Sequence, residues 1–178
     1  MNYTKRKDGL LVPNKGHVVG VYHAKLMRAG KLIDEWDFDN IIVAEGLIAM
    51  LNIMFAGQSV ISNWYMGVFQ NNYTPVSTDT AASITGNAGE FTSYSGGARP
   101  TFSAVAATQP TPSVSNSVTQ ANFTFTGSAT LAGAFLVSNA TPGASSGTLY
   151  SAAQFSSSKQ VGPGDQLALG YTTTLAAS

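Results

Sequence analysis

Residues 166–175 read Gln-Leu-Ala-Leu-Gly-Tyr-Thr-Thr-Thr-Leu, placing Leu167, Leu169, Tyr171, Thr173 and Leu175 on one face of an extended chain. The turn Gly162-Pro163-Gly164-Asp165 comes immediately before it. A strand that is apolar on one side has to cover a core, and the sequence upstream supplies its companions. Short runs at 63–70, 90–94, 122–126, 131–138 and 148–155 carry aromatic and aliphatic residues and are separated by Gly, Pro, Asn and Ser. Several short strands at such spacing predict an antiparallel β-sandwich or jelly roll over 58–178. The stretches 96–112 and 140–147 are small-residue loops within it.

Two longer strand-like runs, 17–28 and 31–40, flank Ala29-Gly30, where glycine can supply the positive φ of a tight turn. They predict a β-hairpin. A two-residue loop sets Val21 opposite Phe38, His23 opposite Trp36, Lys25 opposite Asp34 and Met27 opposite Leu32. A bulged loop slips that register by one. Over 45–55 the apolar spacing changes to i, i+3, i+4, i+7, with Leu47, Met50, Leu51 and Met54, and Ile48 and Phe55 broaden the stripe. This is one short α-helix, apolar over so much of its circumference that the sheet or a partner has to cover it.

The chain is therefore expected to be mainly β. It divides into an N-terminal arm (1–16), a β-hairpin plus helix (17–57) and a β-sandwich (58–178), the last two packed as a single domain. No membrane span is expected, because the apolar run 41–57 is interrupted by Glu45, Gly46 and Asn52 and is too short. The polar start, with Lys5, Arg6 and Lys7, is followed by no apolar segment and does not read as a secretory signal.

At 178 residues the chain is long enough to bury about two-thirds of its unfolded surface, so a core is attainable without staples. It contains no cysteine, which excludes disulfides and zinc-thiolate sites. Formal net charge is zero and 10% of residues are charged, against roughly 25% in soluble domains. The basic stripe of a nucleic-acid binder is missing. An exterior of Ser, Thr, Asn, Gln and small apolar residues suits a surface covered by neighbouring protein, because desolvating charges is costly.

The charges are unevenly placed. Residues 1–57 hold seven basic and six acidic side chains, and the remainder holds only Asp79, Glu90, Arg99, Lys159 and Asp165. Glu90 and Arg99 flank a turn and suit a bidentate ion pair that fixes the long loop, with Asp79 joining them or capping the segment 80–84.

No catalytic set emerges, and no metal or cofactor is expected. His17 and His23 share a strand face but stand about 20 Å apart, too far for one metal or one catalytic unit. Glu35, Asp37 and Asp39 alternate onto one face beside Asp34, yet a straight strand cannot fold six to eight oxygens around calcium. Salt bridges to Lys25, Lys31 or a partner are their expected use. Nucleophile elbows and phosphate-cradling loops are missing. The aromatics Trp64, Tyr65 and Tyr73 can stack on a sugar, which keeps a receptor- or glycan-binding module as an alternative.

The stretch Asn63-Trp64-Tyr65-Met66-Gly67-Val68-Phe69, followed by Thr74-Pro75, Asp79-Thr80-Ala81-Ala82-Ser83, Glu90-Phe91-Thr92, Tyr94 and Arg99-Pro100, resembles small virion proteins of tailed bacteriophages. So do Gly30-Lys31, Asn40 and Glu45-Gly46-Leu47. Further on, Gly133-Ala134-Phe135-Leu136, Gly147-Thr148-Leu149-Tyr150 and Gly164-Asp165-Gln166-Leu167 follow the same pattern. The resemblance implies a structural component of the virion, assembled in the host cytoplasm. It implies a capsid decoration (cement) protein, used as a homodimer or homotrimer that bridges subunits of the major capsid protein. Tail, connector and fibre-base proteins fall within the same likeness. On that reading the candidate interface residues are Lys5, Arg6 and Lys7 in the arm, Trp36 and Phe38 on the hairpin, and Met50 and Met54 on the helix.

Overall fold

A computed structural model describes residues 3–5, 11–13, 17–110 and 112–176. In chain order the elements are β1 (Tyr3–Lys5), β2 (Leu11–Pro13), β3 (His17–Arg28), β4 (Lys31–Asp39), β5 (Ile41–Ile42) and α1 (Ala44–Phe55). Next come β6 (Tyr65–Phe69) and α2 (Ala81–Ser83), which runs on as a π-helical stretch (Ile84–Gly89). The chain then forms β7 (Ser113–Ser115), β8 (Ala121–Thr124), β9 (Ala129–Val137), β10 (Leu149–Val161) and β11 (Gln166–Ala176). Two antiparallel sheets make a β-sandwich. One has the order β4-β3-β11-β7, with β8 also on β11, and the other the order β5-β10-β9-β6. Strands β1 and β2 pair apart from both.

Strand β11 lies at the centre of the larger sheet for the reason its alternation suggests. Leu167, Leu169 and Tyr171 are fully buried and stand beside Leu26, Ala24 and Tyr22 of β3 on the inner face. Met66, Val68, Ala134 and Leu136 meet them from the opposite sheet. Each large apolar side chain enclosed this way contributes about 1.5–3 kcal/mol. The edge of β11 that β7 and β8 share is completed by a side chain. Asn116 donates through Nδ2 to the Leu169 carbonyl at 3.2 Å and accepts through Oδ1 from the Tyr171 amide at 2.7 Å. Buried polar groups thus keep their partners where the ladder changes strands.

Strand β9 is buried on both faces. Its other side, with Ala132, Phe135 and Val137, carries a second core closed by Ala81, Ile84 and Ala88. Among the described residues there are therefore two short helices where one was expected. The second, α2, is set by a capping box in which the Thr80 hydroxyl accepts from the Ser83 amide and the Ser83 hydroxyl accepts from the Thr80 amide.

The hairpin turn has Ala29 at φ 49° and Gly30 at φ 76°, both left-handed, as a two-residue loop requires. Met27 faces Leu32 as expected. A bulge then shifts the register by one, so that Leu26 faces Asp34, Ala24 faces Trp36 and Tyr22 faces Phe38. The shift decides which side chains are enclosed. Phe38, expected at an interface, instead lies in the core, stacked on Tyr22 at 5.1 Å. The run 90–94 forms no strand. Glu90 and Tyr94 make isolated bridges to Phe69 and Phe125.

Candidate functional site

The side chains that stand out are apolar and sit where a folded chain usually places polar ones. Helix α1 is fixed at its start. The Val43 amide donates to the Tyr150 carbonyl, the Ala44 amide donates to the Ser77 carbonyl, and the Glu45 carboxylate accepts from the amides of Leu149 and Ala81. Gly46 is buried against the Tyr150 backbone, where a β-carbon would stand 2.7 Å from the Tyr150 Cα. A larger residue there would lift the helix off β10.

Beyond that anchored first turn the helix overhangs. Ile48 is 57% exposed, Leu51 51%, Met54 63% and Phe55 78%, and Val60 just after the helix is 77% exposed. No charged side chain occurs between residues 46 and 78, so the helix after Glu45 and the segment following it bring no ionised group to this face. An ordinary surface helix turns its charged side to water; this one does the reverse.

Alongside α1 runs an apolar groove of about 700 Å³ whose walls include Met50, Ile53, Ile61, Trp64, Phe102 and Leu175. Trp64 is half-buried and meets Tyr150 edge-on at 5.7 Å, so its ring forms part of the groove wall. A cleft of this size and lining suits apolar groups.

The residues singled out from sequence fall in several places. Met50 lines the groove and Met54 stands at its exposed rim. Trp36 is half-buried, edge-on to Phe155 at 5.4 Å with the Lys159 ammonium 4.6 Å from its ring centroid, and its indole Nε1 finds no partner among the described residues. Lys5 lies in β1, while Arg6 and Lys7 lie outside the described residues.

Arg99 and Glu90 are both enclosed. Arg99 Nε donates to Glu90 Oε1 at 2.8 Å and Nη2 donates to Oε2 at 2.7 Å, while the same guanidinium donates to the carbonyls of Asn139 and Ala144. Glu90 also accepts from the Gly143 amide. This two-pronged pair ties together the end of the π-helical stretch and two loops. Asp79 takes no part in it. Its carboxylate accepts from the hydroxyls of Tyr73 and Ser83 and from the Val76 amide, closing the turn before α2.

Three of the four acidic side chains of β4 have basic partners among the described residues. Lys25 Nζ lies 3.0 Å from Glu35, Lys159 Nζ 2.7 Å from Asp34, and His23 Nδ1 2.6 Å from Asp37. The lysine hydrogen bond draws the Asp34 carboxyl below its ordinary range. No group of three or more His, Cys, Asp or Glu side chains among the described residues could hold a metal ion. No helix among them is long and apolar enough to cross a membrane.

Sequence reasoning marked α1 as needing a cover but did not foresee the groove beside it. The groove is assembled from α1, the segment after it, the loop near residue 102 and the end of β11. Such long-range assembly leaves no local pattern. Compared with protein-family models, with curated proteins and with solved structures, the chain finds no match.

Proposed function

We propose that this chain is a structural protein of a bacteriophage particle, a capsid decoration protein that binds neighbouring major capsid subunits and packs against copies of itself. The observation that carries the self-packing part is the outer face of α1, apolar and free of charge beside an apolar groove. Leaving such a patch in water is unfavourable, and covering it with protein gains stability without desolvating ions. The phage part rests on the sequence pattern, which runs through 63–69, 79–83, 90–100 and 133–150 and so follows β6, the turn into α2, the Glu90–Arg99 tie and the β9–β10 region.

A shell-binding module has to resist deformation. Two sheets over a shared core, a second core beneath α2 and an enclosed ion pair give this chain a stiff body. Modest contacts repeated over many copies then add up through avidity. Quantitative mass spectrometry of purified particles tests the reading. Hundreds of copies per particle support decoration of the shell. A few to a few dozen place the chain in the tail, and none rejects a virion role altogether.

A further inference from the structure

We infer that the exposed face of α1 is the contact between two copies of this chain, related by a two-fold axis passing close to Leu51. The inference rests on the self-packing reading above and names the surface that performs it.

Three observations select a second copy as the occupant. The first is spacing. Ile48, Leu51 and Phe55 stand at i, i+3 and i+7, the spacing by which one helix lays an apolar seam along another. In an antiparallel pair about a two-fold, Leu51 meets its own copy while Ile48 meets Phe55 of the other chain, and Phe55 meets Ile48 in return.

The second is charge. Neither α1 after Glu45 nor any groove-lining residue carries a charge, and Glu45 is engaged with backbone amides of its own chain. A partner bearing an ionised patch finds nothing to pair with here. A surface that matches this one in neutrality and carries the same i, i+3, i+7 apolar ridge is this same surface on a second copy.

The third is area. Five large apolar side chains, each half exposed or more, present on the order of 600 Å², and the groove wall adds to it. A standard interface takes about 800 Å² from each partner. The patch therefore approaches the size a specific dimer uses and stands at the top of the range a monomer leaves in water.

The test uses the full chain. Sedimentation velocity at tens of micromolar should show a dimer. Leu51→Lys sets two like charges at the axis and should weaken self-association at least tenfold while leaving the circular dichroism spectrum and melting of the monomer unchanged, because Leu51 is already half exposed. Since the chain has no cysteine, Leu51→Cys provides a single thiol, and mild oxidation should convert the protein to one disulfide-linked homodimer. A wild type that stays oligomeric after Leu51→Lys, a trimer, or a Leu51→Cys protein that resists cross-linking overturns this interface while the self-packing reading survives. A monomeric wild type overturns both, and if Leu51→Lys is then lost from particles, another virion protein covers the face. A dimer that is missing from particles leaves the interface standing and rejects the virion role.

Discussion

The ring of Phe135 fills the space in which a side chain on its cross-strand partner Gly67 would stand. Two residues along, the relationship is reversed, with the Phe69 ring over Gly133. The two rings cover two glycines in one layer of the second core, an exchange that lets β6 and β9 pair closely without a void. A methyl group at position 67 collides with the ring. Gly67→Ala should destabilise the fold by about 1–3 kcal/mol, the usual cost of overpacking. The denaturant midpoint reads it, and an unchanged midpoint would show that the ring can swing aside.

The Arg99 guanidinium carbon stands over the Phe135 ring, 5.3 Å from its centroid, with both it and Glu90 almost wholly enclosed. Removing one partner leaves the other charged and buried. Arg99→Met should cost about 3–5 kcal/mol, and the double variant Arg99→Met, Glu90→Leu should recover a large part of that loss. Arg99→Lys should fall near Arg99→Met, because an ammonium cannot reproduce the two parallel hydrogen bonds and the two carbonyl contacts. Urea unfolding of wild type, Arg99→Met, Glu90→Leu and the double variant forms the thermodynamic cycle. A double variant no better than the single would mean that Arg99 acts mainly through the Asn139 and Ala144 carbonyls.

How much of this was legible in the sequence depends on the distance over which each feature is written. The period of two in 166–175 and the Ala29-Gly30 turn are local, and β11 and the hairpin form where they indicate. The helix boundary at 45 is one residue from the observed start at Ala44. The hairpin register depends on a single bulge between Leu26 and Met27, and one residue of slip carries Phe38 from a supposed surface into the core. β10 extends to Val161 rather than stopping near 155, because Lys159, Gln160 and Val161 pair with β9 again after an irregular, Ser-rich stretch that gives no strand signal. Asp79 shows the same limit. Sparse charges left it two uses, joining Glu90 and Arg99 or capping 80–84, and the fold sets it in the turn before α2, where it accepts from the Ser83 hydroxyl while Thr80 supplies the cap. The sequence flagged the helix that needs covering, whereas the groove beside it arises only when four distant segments meet.

Acid should weaken the fold through Asp165 and Asp34. The Asp165 carboxyl is held below its ordinary range chiefly by its hydrogen bonds to Arg28, with the Gly162 amide assisting, and Asp34 is lowered by Lys159. Their folded values lie below the unfolded value of about 3.9, so the stability they supply is present above pH ~4 and is lost as pH falls through the lower folded values. Melting temperature should drop below pH 4, and Asp165→Asn should make that drop shallower while lowering stability at neutral pH. An acid limb identical in slope for Asp165→Asn and wild type would remove Asp165 from this account.

Alkali should act through the tyrosines at the centre of the sandwich. Tyr22 and Tyr171 lie 4.4 Å apart by ring centroid, and Tyr171 and Tyr150 lie 6.3 Å apart. Burial pushes all three phenols up, Tyr171 to about 12, and each neighbouring phenolate would repel the next. Unfolded tyrosines ionise near pH ~10, so above that pH the unfolded chain holds fewer protons than the native one, and stability must fall as pH rises. The contribution is whole below pH ~10 and is lost as pH rises through the raised folded values, that of Tyr171 being about 12. Tyrosinate absorbance should therefore appear together with the loss of β circular dichroism, in one cooperative step. Tyr171→Phe removes one of the coupled protons and should lessen the alkaline slope, although it also leaves Asn40 without the hydroxyl that accepts from its Nδ2. Ionisation of all the tyrosines near pH 10 with the β signal intact would mean that water reaches these rings and that the centre of the sandwich is looser than its packing indicates.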